Sequence, residues 1–134
     1  MIIELIYSFK SLFTRQNGEL DLRVSASYGF DYLSILQVKI NKDSSKKNLD
    51  NYYKCFDNLL NQLNSELFFD ILESKEYRDL YNVNDKLFDL VSLAKNDLCF
   101  ASEVDKMVYQ RWLSKTALQD KFFTNKLSEV KIGY

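Results

Sequence analysis

Residues 49–71, LDNYYKCFDNLLNQLNSELFFDI, carry the clearest helical pattern in the chain. Their apolar side chains recur every three or four positions, at Leu49, Tyr52, Tyr53, Phe56, Leu59, Leu60, Leu63, Leu67 and Ile71. This spacing places them on one face of an α-helix, with the polar residues mostly on the other side. The pattern therefore predicts one long helix that ends between residues 73 and 75.

A shorter helical pattern precedes this segment. Leu33, Leu36 and Ile40 are separated by three and four residues, which predicts a helix of roughly three turns that begins near Asp31 and ends at Asn41. A carboxylate suits the start of a helix because it complements the helix dipole. The polar residues 41–47 interrupt the pattern and predict a loop.

Two further apolar stripes follow residue 75. The first is formed by Tyr77, Leu80, Tyr81, Leu87, Phe88, Val91 and Leu98. The second begins at Ser102, where Asp105 three residues later resembles a capping box, and it continues to Leu127. Long helices joined by short loops favour antiparallel neighbours. We therefore expect a mainly α fold, an antiparallel bundle of about four helices.

The N-terminal region has a different pattern. Asn17-Gly18 is a strong turn signal, and apolar and polar residues alternate on both sides of it, which predicts a β-hairpin. The first arm also fits a helix, because Ile2, Leu5, Ile6, Phe9 and Phe13 form a helical stripe. A length of 134 residues predicts a single domain over residues 1–134, in which residues 1–23 are an extension or the first hairpin arm.

Composition excludes several classes of chemistry. The chain has no His, so it lacks the Ser-His-Asp and Cys-His mechanisms and every zinc site that needs imidazole. Cys55 and Cys99 lie far apart and predict buried thiols in a reducing compartment rather than a metal site. The formal net charge of -1 gives no global attraction to nucleic acid. No apolar run is long enough for a membrane span, and residues 1–7 lack the basic start of a secretion signal, so we expect a cytoplasmic protein.

Several short motifs resemble one bacterial family. Residues 24–39, VSASYGFDYLSILQVK, align without a gap with its opening motif, Val-Ser-x-Gly-Glu-x-x-Asp-Lys-Leu-Thr-Ile-Leu-Glu-Ile-Lys. Residues 83–88, VNDKLF, are similar to its Val-Asn-x-x-Leu-Trp, and residues 108–109 and 116–118 match its last helix. The ending at 129–134, EVKIGY, is also similar. Residues 24–134 thus resemble the bacterial domain-of-unknown-function family 6165. The resemblance implies a fold and little chemistry.

The chain departs from that family at polar positions. The family's Gly-Glu falls on Ser27-Tyr28, its Lys on Tyr32 and its later Glu on Gln37. Other polar family positions fall on Val91-Ser92 and Trp112-Leu113. The apolar pattern is retained while several polar positions have become aromatic or neutral. A family site built from those groups is therefore incomplete in this chain.

Three of the retained polar residues are candidates for ligand binding. Asp31 and Lys39 lie about two helical turns apart, and Asn84 interrupts an apolar stripe, where it marks either a buried polar contact or an exposed residue. The simpler interpretation of Asp31 and Lys39 is a carboxylate at a helix start and a solvated cation. The acidic residues Glu66, Asp70 and Glu73 lack a matching partner set, so we predict no metal site and no cofactor.

The last helix carries four basic residues interleaved with Trp112 and Phe123, a pattern found in proteins that bind single strands: Arg111, Lys115, Lys121 and Lys126. Nearby acidic residues dilute this charge, so we expect no nucleic-acid partner and interpret Trp112 as a core or dimer residue. The sequence favours a non-catalytic helical interaction or scaffold module, either a homodimer or bound to another protein. The alternative is a small ligand-binding domain or enzyme that uses carboxylate, Lys or Tyr groups between helices.

Overall fold

Five α-helices form the part of the chain that the structure, a computed structural model, describes, residues 17–128. They are α1 (Ala26–Lys42), α2 (Lys46–Gln62), α3 (Ser65–Glu73), α4 (Lys75–Lys95) and α5 (Ala101–Phe122). The expectation of a mainly helical, packed fold is therefore confirmed.

The predicted N-terminal hairpin falls only partly within residues 17–128. Its first arm lies outside the described residues. Residues 17–25 adopt neither helix nor strand, and Ala26 begins α1. The hairpin stays a prediction.

The long helix predicted over residues 49–71 is divided in two, so that prediction is wrong at one point. α2 ends at Gln62, and Leu63 and Asn64 have extended backbones. The Asn64 carboxamide oxygen accepts hydrogen bonds from the backbone N–H groups of Glu66 and Leu67, at 2.8 and 3.4 Å. Asparagine is a favoured N-cap, and the cap starts α3 in a new direction while the apolar spacing continues.

Other predicted helix ends also differ. The helix predicted to begin near Asp31 begins at Ala26, and it continues one residue past the predicted end, Asn41. The last helix begins at Ala101, one residue before the predicted Ser102, and the Glu103 carboxylate accepts a hydrogen bond from the Phe100 backbone N–H at 3.3 Å. The last helix was also predicted to continue to Leu127, but it ends at Phe122.

The end of α4 has a specific turn. Asp97 adopts a positive φ of 56°, and the N–H groups of Asp97 and Leu98 donate to the carbonyls of Ala94 and Leu93. These two bonds are those of a Schellman motif, which ends a helix with one left-handed residue. The turn reverses the chain, so that α5 runs back along α4.

An aromatic core joins the helices. Phe30 of α1 lies 5.9 Å from Phe68 of α3 and 6.3 Å from Tyr77 of α4, measured between ring centroids. Leu33, Ile71, Leu80 and Leu118 complete the buried cluster. The stripe of α2 packs against this cluster from one side and is only partly buried. Each helix therefore presents one apolar side to a shared core.

Candidate functional site

A buried carboxylate lies between α1, α4 and α5. Asp31 occupies the second turn of α1 and is only 3% exposed, because it shares the inward side of the helix with Ser27 and Ser34. The interpretation of Asp31 as a carboxylate at a helix start is therefore wrong. A carboxylate in this setting loses its hydration and needs partners that replace water.

Two cations of α5 supply the charge that Asp31 needs. The Arg111 guanidinium donates from Nε to both carboxylate oxygens at 3.0 Å and from Nη2 to Oδ2 at 2.5 Å. The Lys115 ammonium lies 3.7 Å from Oδ2 and 4.5 Å from the centroid of the Tyr28 ring. Arg111 and Lys115 are four residues apart, so consecutive turns of α5 bring both to the same carboxylate.

Asn84 completes the cluster from α4. Its Nδ2 donates to Asp31 Oδ1 at 2.8 Å and lies 2.7 Å from Ser34 Oγ. The Ser34 hydroxyl in turn donates to the backbone carbonyl of Asp31 at 2.7 Å. Within residues 17–128, every buried side-chain nitrogen and oxygen has a hydrogen-bond partner. The cluster is therefore a closed network that ties three helices together.

A second buried amide ties α5 to the start of α1. Gln119 Oε1 accepts hydrogen bonds from the backbone N–H and the hydroxyl of Ser27, both at 3.0 Å. Gln119 Nε2 donates to the carbonyl of Asn125 at 2.9 Å. Gln119 thereby positions the segment that follows α5 against α1.

The structure brings together two of the three predicted site residues. Asp31 and Asn84 are buried and hydrogen-bonded to each other, whereas Lys39 is exposed on α1 and has no contact with them. Sequence reasoning missed the part that Arg111 and Lys115 play, because it treated them as a basic stripe. Their spacing of four residues and the inward position of Asp31 were the signals that could have paired them.

The other candidate residues lie elsewhere. Glu66, Asp70 and Glu73 are exposed on α3, and no group of three potential metal ligands occurs among residues 17–128. Lys121 pairs with Glu76 of α4 at 3.0 Å rather than joining a basic surface. Both cysteines are free and partly buried, and burial raises the pKa of Cys55 to about 11.

One side of α5 exposes an apolar stripe. Val108, Tyr109, Trp112 and Leu113 lie on adjoining positions of successive turns, and each is at least 38% exposed. The rings of Tyr109 and Trp112 stack with centroids 6.0 Å apart. Trp112 is 44% exposed, so the structure does not place it in the core. This α5 stripe differs from the Asp31 cluster because nothing within residues 17–128 covers it.

Comparisons with known proteins leave the family undecided. No protein-family model, curated protein or solved structure matches the chain. The resemblance to family 6165 therefore stays a prediction. The helices of residues 17–128 include none that is both long and apolar enough to cross a membrane.

Proposed function

We propose that the protein is a non-catalytic helical interaction module that forms a homodimer through the α5 stripe. The observation that carries this proposal is the stacked and exposed pair Tyr109 and Trp112 on a helix that packs against the bundle through other residues, such as Leu118 and Gln119. Tyr and Trp are the side chains that most often dominate the energy of protein interfaces. Both combine a large apolar area with little loss of side-chain entropy on binding.

The order of residues in the stripe supports pairing with a second copy. Along α5 the order is aliphatic, aromatic, two intervening residues, aromatic, aliphatic, from Val108 to Leu113. Two antiparallel copies related by a twofold axis would place Val108 against Leu113 of the partner subunit and Tyr109 against Trp112 of the partner subunit. A twofold interface requires this kind of self-complementary surface. The net charge of -1 adds little repulsion between copies.

The size of the stripe indicates a weak dimer. Its four side chains expose on the order of 400 Å² of apolar surface per subunit, using the usual areas of such residues. Specific stable interfaces bury roughly 800 Å² per partner, and transient ones bury less. We therefore expect a dissociation constant in the micromolar range.

Sedimentation equilibrium tests the proposal. The wild-type chain of 15.9 kDa should approach twice that mass at high concentration and return to the monomer mass on dilution. Tyr109→Ala combined with Trp112→Ala should be monomeric throughout. Tyr53→Ala removes an equally exposed aromatic side chain from α2 and should leave the dimer intact. A wild-type chain that is monomeric at about 100 times the expected micromolar constant would refute the proposal.

A second candidate function, a small ligand-binding domain or enzyme, is supported by the convergence of Asp31 and Asn84 between helices. We favour the interaction module because the polar groups around Asp31 already bind one another. Calorimetric titration distinguishes the ligand-binding function from the interaction module. The ligands titrated are citrate and inorganic phosphate, two anions that Arg111 would attract. Binding heat that is lost in Arg111→Met would support the ligand site, and no heat with either anion would count against it.

A further inference from the structure

A groove runs between α1, α2, the segment before α1 (residues 22–25) and the segment after α5 (residues 123–128). Its volume is about 1010 Å³, which reaches the upper end of the range, roughly 300–1,000 Å³, that small-molecule sites occupy. Its floor is apolar and includes Phe30, Leu59 and Leu63. None of the residues that hold Asp31 lines it. The groove is thus separate from both the Asp31 cluster and the α5 stripe.

Particular residues build the groove. A Cβ atom on Gly29 would lie 2.6 Å from Leu59 Cδ2, so the absence of a side chain allows α1 and α2 to approach closely at the floor. One wall of the groove is the segment after α5. Gln119 fixes this segment by donating a hydrogen bond to the Asn125 carbonyl. The Ser128 backbone N–H also donates to Ser25 Oγ at 3.0 Å. The wall is therefore bonded to Gln119 of α5 and to Ser25, the N-cap residue of α1.

The charge of the groove differs from that of the whole chain. Its lining contains three cations, Arg23, Lys54 and Lys126, and no carboxylate. The full chain has 18 basic and 19 acidic residues. None of the three cations forms an ion pair within residues 17–128. A concave surface with charges of one sign concentrates ligands of the opposite sign.

We propose that this groove binds an acidic peptide segment of a partner protein, with apolar side chains of the peptide on the floor. Asn51, Asn58 and Asn125 line the groove, and the Asn58 amide oxygen already accepts a hydrogen bond from the Gln62 amide. Amides both donate and accept hydrogen bonds, which suits a peptide backbone. An acyl chain would cover these amides without bonding to them, at a cost in free energy. The amides therefore favour a peptide over a fatty acid.

Selection from a phage-displayed library of random peptides on the full-length protein tests the proposal. Enriched peptides should carry net negative charge and at least two large apolar residues. Their affinity should fall as the salt concentration rises, because salt screens exposed charges. The selected peptide is then synthesised with a fluorescent label for anisotropy measurements.

Charge reversal locates the binding site. Lys54→Glu combined with Lys126→Glu should weaken binding of the selected peptide at least tenfold. Lys46→Glu combined with Lys47→Glu changes the net charge by the same amount at exposed positions outside the groove, and it should weaken binding less than threefold. Equal weakening by the two pairs would mean that only net charge matters and would overturn the proposal.

Cys55 provides an independent readout because it lines the groove and Cys99 does not. Bound peptide should slow the reaction of Cys55 with a maleimide and leave Cys99 unaffected. In the selection, the absence of enriched peptides (as when the chain's own terminal residues fill the groove) or the enrichment of basic peptides would overturn the proposal. So would unchanged labelling of Cys55 in the presence of the peptide, or displacement of the bound peptide by palmitate. The proposed dimer can fail its own test without affecting these results, because none of the residues of the α5 stripe lines the groove.

Discussion

The Asp31 carboxylate has left water almost completely, and α4 and α5 replace the solvent around it. Arg111 donates three hydrogen bonds to the two carboxylate oxygens, and Asn84 donates one more to Oδ1. A buried ion pair is often no more stabilising than apolar residues of the same shape, but removal of one partner is costly. Asp31 therefore holds the three helices in one arrangement.

Substitution of Asp31 tests whether its charge holds the three helices together. Asp31→Asn should lower the free energy of unfolding by about 3 kcal/mol, because the buried end of Arg111 loses its counter-charge. Urea unfolding followed by circular dichroism measures the change. Asp70→Asn, at an exposed position on α3, should change stability by less than about 0.5 kcal/mol. Equal effects of the two substitutions would show that Asp31 is not a structural charge.

Cys55 gives a prediction that depends on pH. Burial raises the pKa of Cys55 to about 11, so the thiol is neutral at physiological pH. In a Cys99→Ser variant, the rate of reaction with a disulfide reagent should rise about tenfold per pH unit up to that value, since only the thiolate reacts. When the same variant is unfolded in urea, its reaction rate should stop rising near pH 9.

The same shift affects stability. The folded chain holds the Cys55 proton more tightly than the unfolded chain, so this contribution is complete below about pH 9 and is lost as the pH rises towards 11. Burial also raises the pKa of Tyr77, which acts in the same direction at higher pH. If the reaction rate of Cys55 in the folded chain stops rising below pH 9, both the raised pKa and its contribution to stability are contradicted.

The residues of the Asp31 cluster could be predicted only in part. Asp31 stood out as a polar residue retained from the motif of the family that the chain resembles, and Asn84 because it interrupts an apolar stripe. Lys39 lies two turns from Asp31 on the same helix, but that spacing turned it away from the cluster into solvent. Arg111 is 80 positions from Asp31, and only the packing of α5 against α1 brings them together.

At the scale of helices, the turn after α4 depends on one residue with a left-handed backbone. Asp97 adopts a positive φ of 56°, which costs a residue with a Cβ atom more than glycine. Its carboxylate also lies at the negative end of the α4 dipole. Asp97→Gly should therefore raise the free energy of unfolding by about 0.5–1 kcal/mol, measured by urea unfolding.

A matched substitution controls for the chemistry of the change. Asp105→Gly removes the same side chain from an exposed position inside α5 and should destabilise by about 0.5 kcal/mol, because glycine is a poor helix former. If Asp97→Gly destabilised the protein to the same degree, the proposed turn would be wrong.

Helices were more predictable from the sequence than their ends. Periodic apolar side chains located the helical segments of residues 17–128, with α2 and α3 taken as one, because each helix must bury one side. The division between α2 and α3 was missed, because the apolar spacing continues through Leu63 while the backbone changes direction at Asn64. An N-cap is a local hydrogen bond, and it can interrupt a helix without any change in the hydrophobic pattern.

At the scale of the whole molecule, the bundle divides its aromatic residues between two roles. Phe30, Phe68 and Tyr77 join the helices inside the core. Tyr109 and Trp112 lie outside it, on the one helix that also supplies the counter-charge for Asp31. The sequence predicted that Trp112 belongs to a core or a dimer, and only the packing excluded the core within one subunit. What covers the α5 stripe is the central question that the fold raises.

Fluorescence answers this question most directly, because Trp112 is the only tryptophan of the chain. A dimer through the α5 stripe predicts emission at shorter wavelength at high protein concentration and a shift to longer wavelength on dilution through the micromolar range. Leu113→Glu keeps the tryptophan but places a charge in the interface, so it should emit at the longer wavelength at every concentration. A wild-type emission maximum that does not change with concentration and equals that of Leu113→Glu would contradict the account.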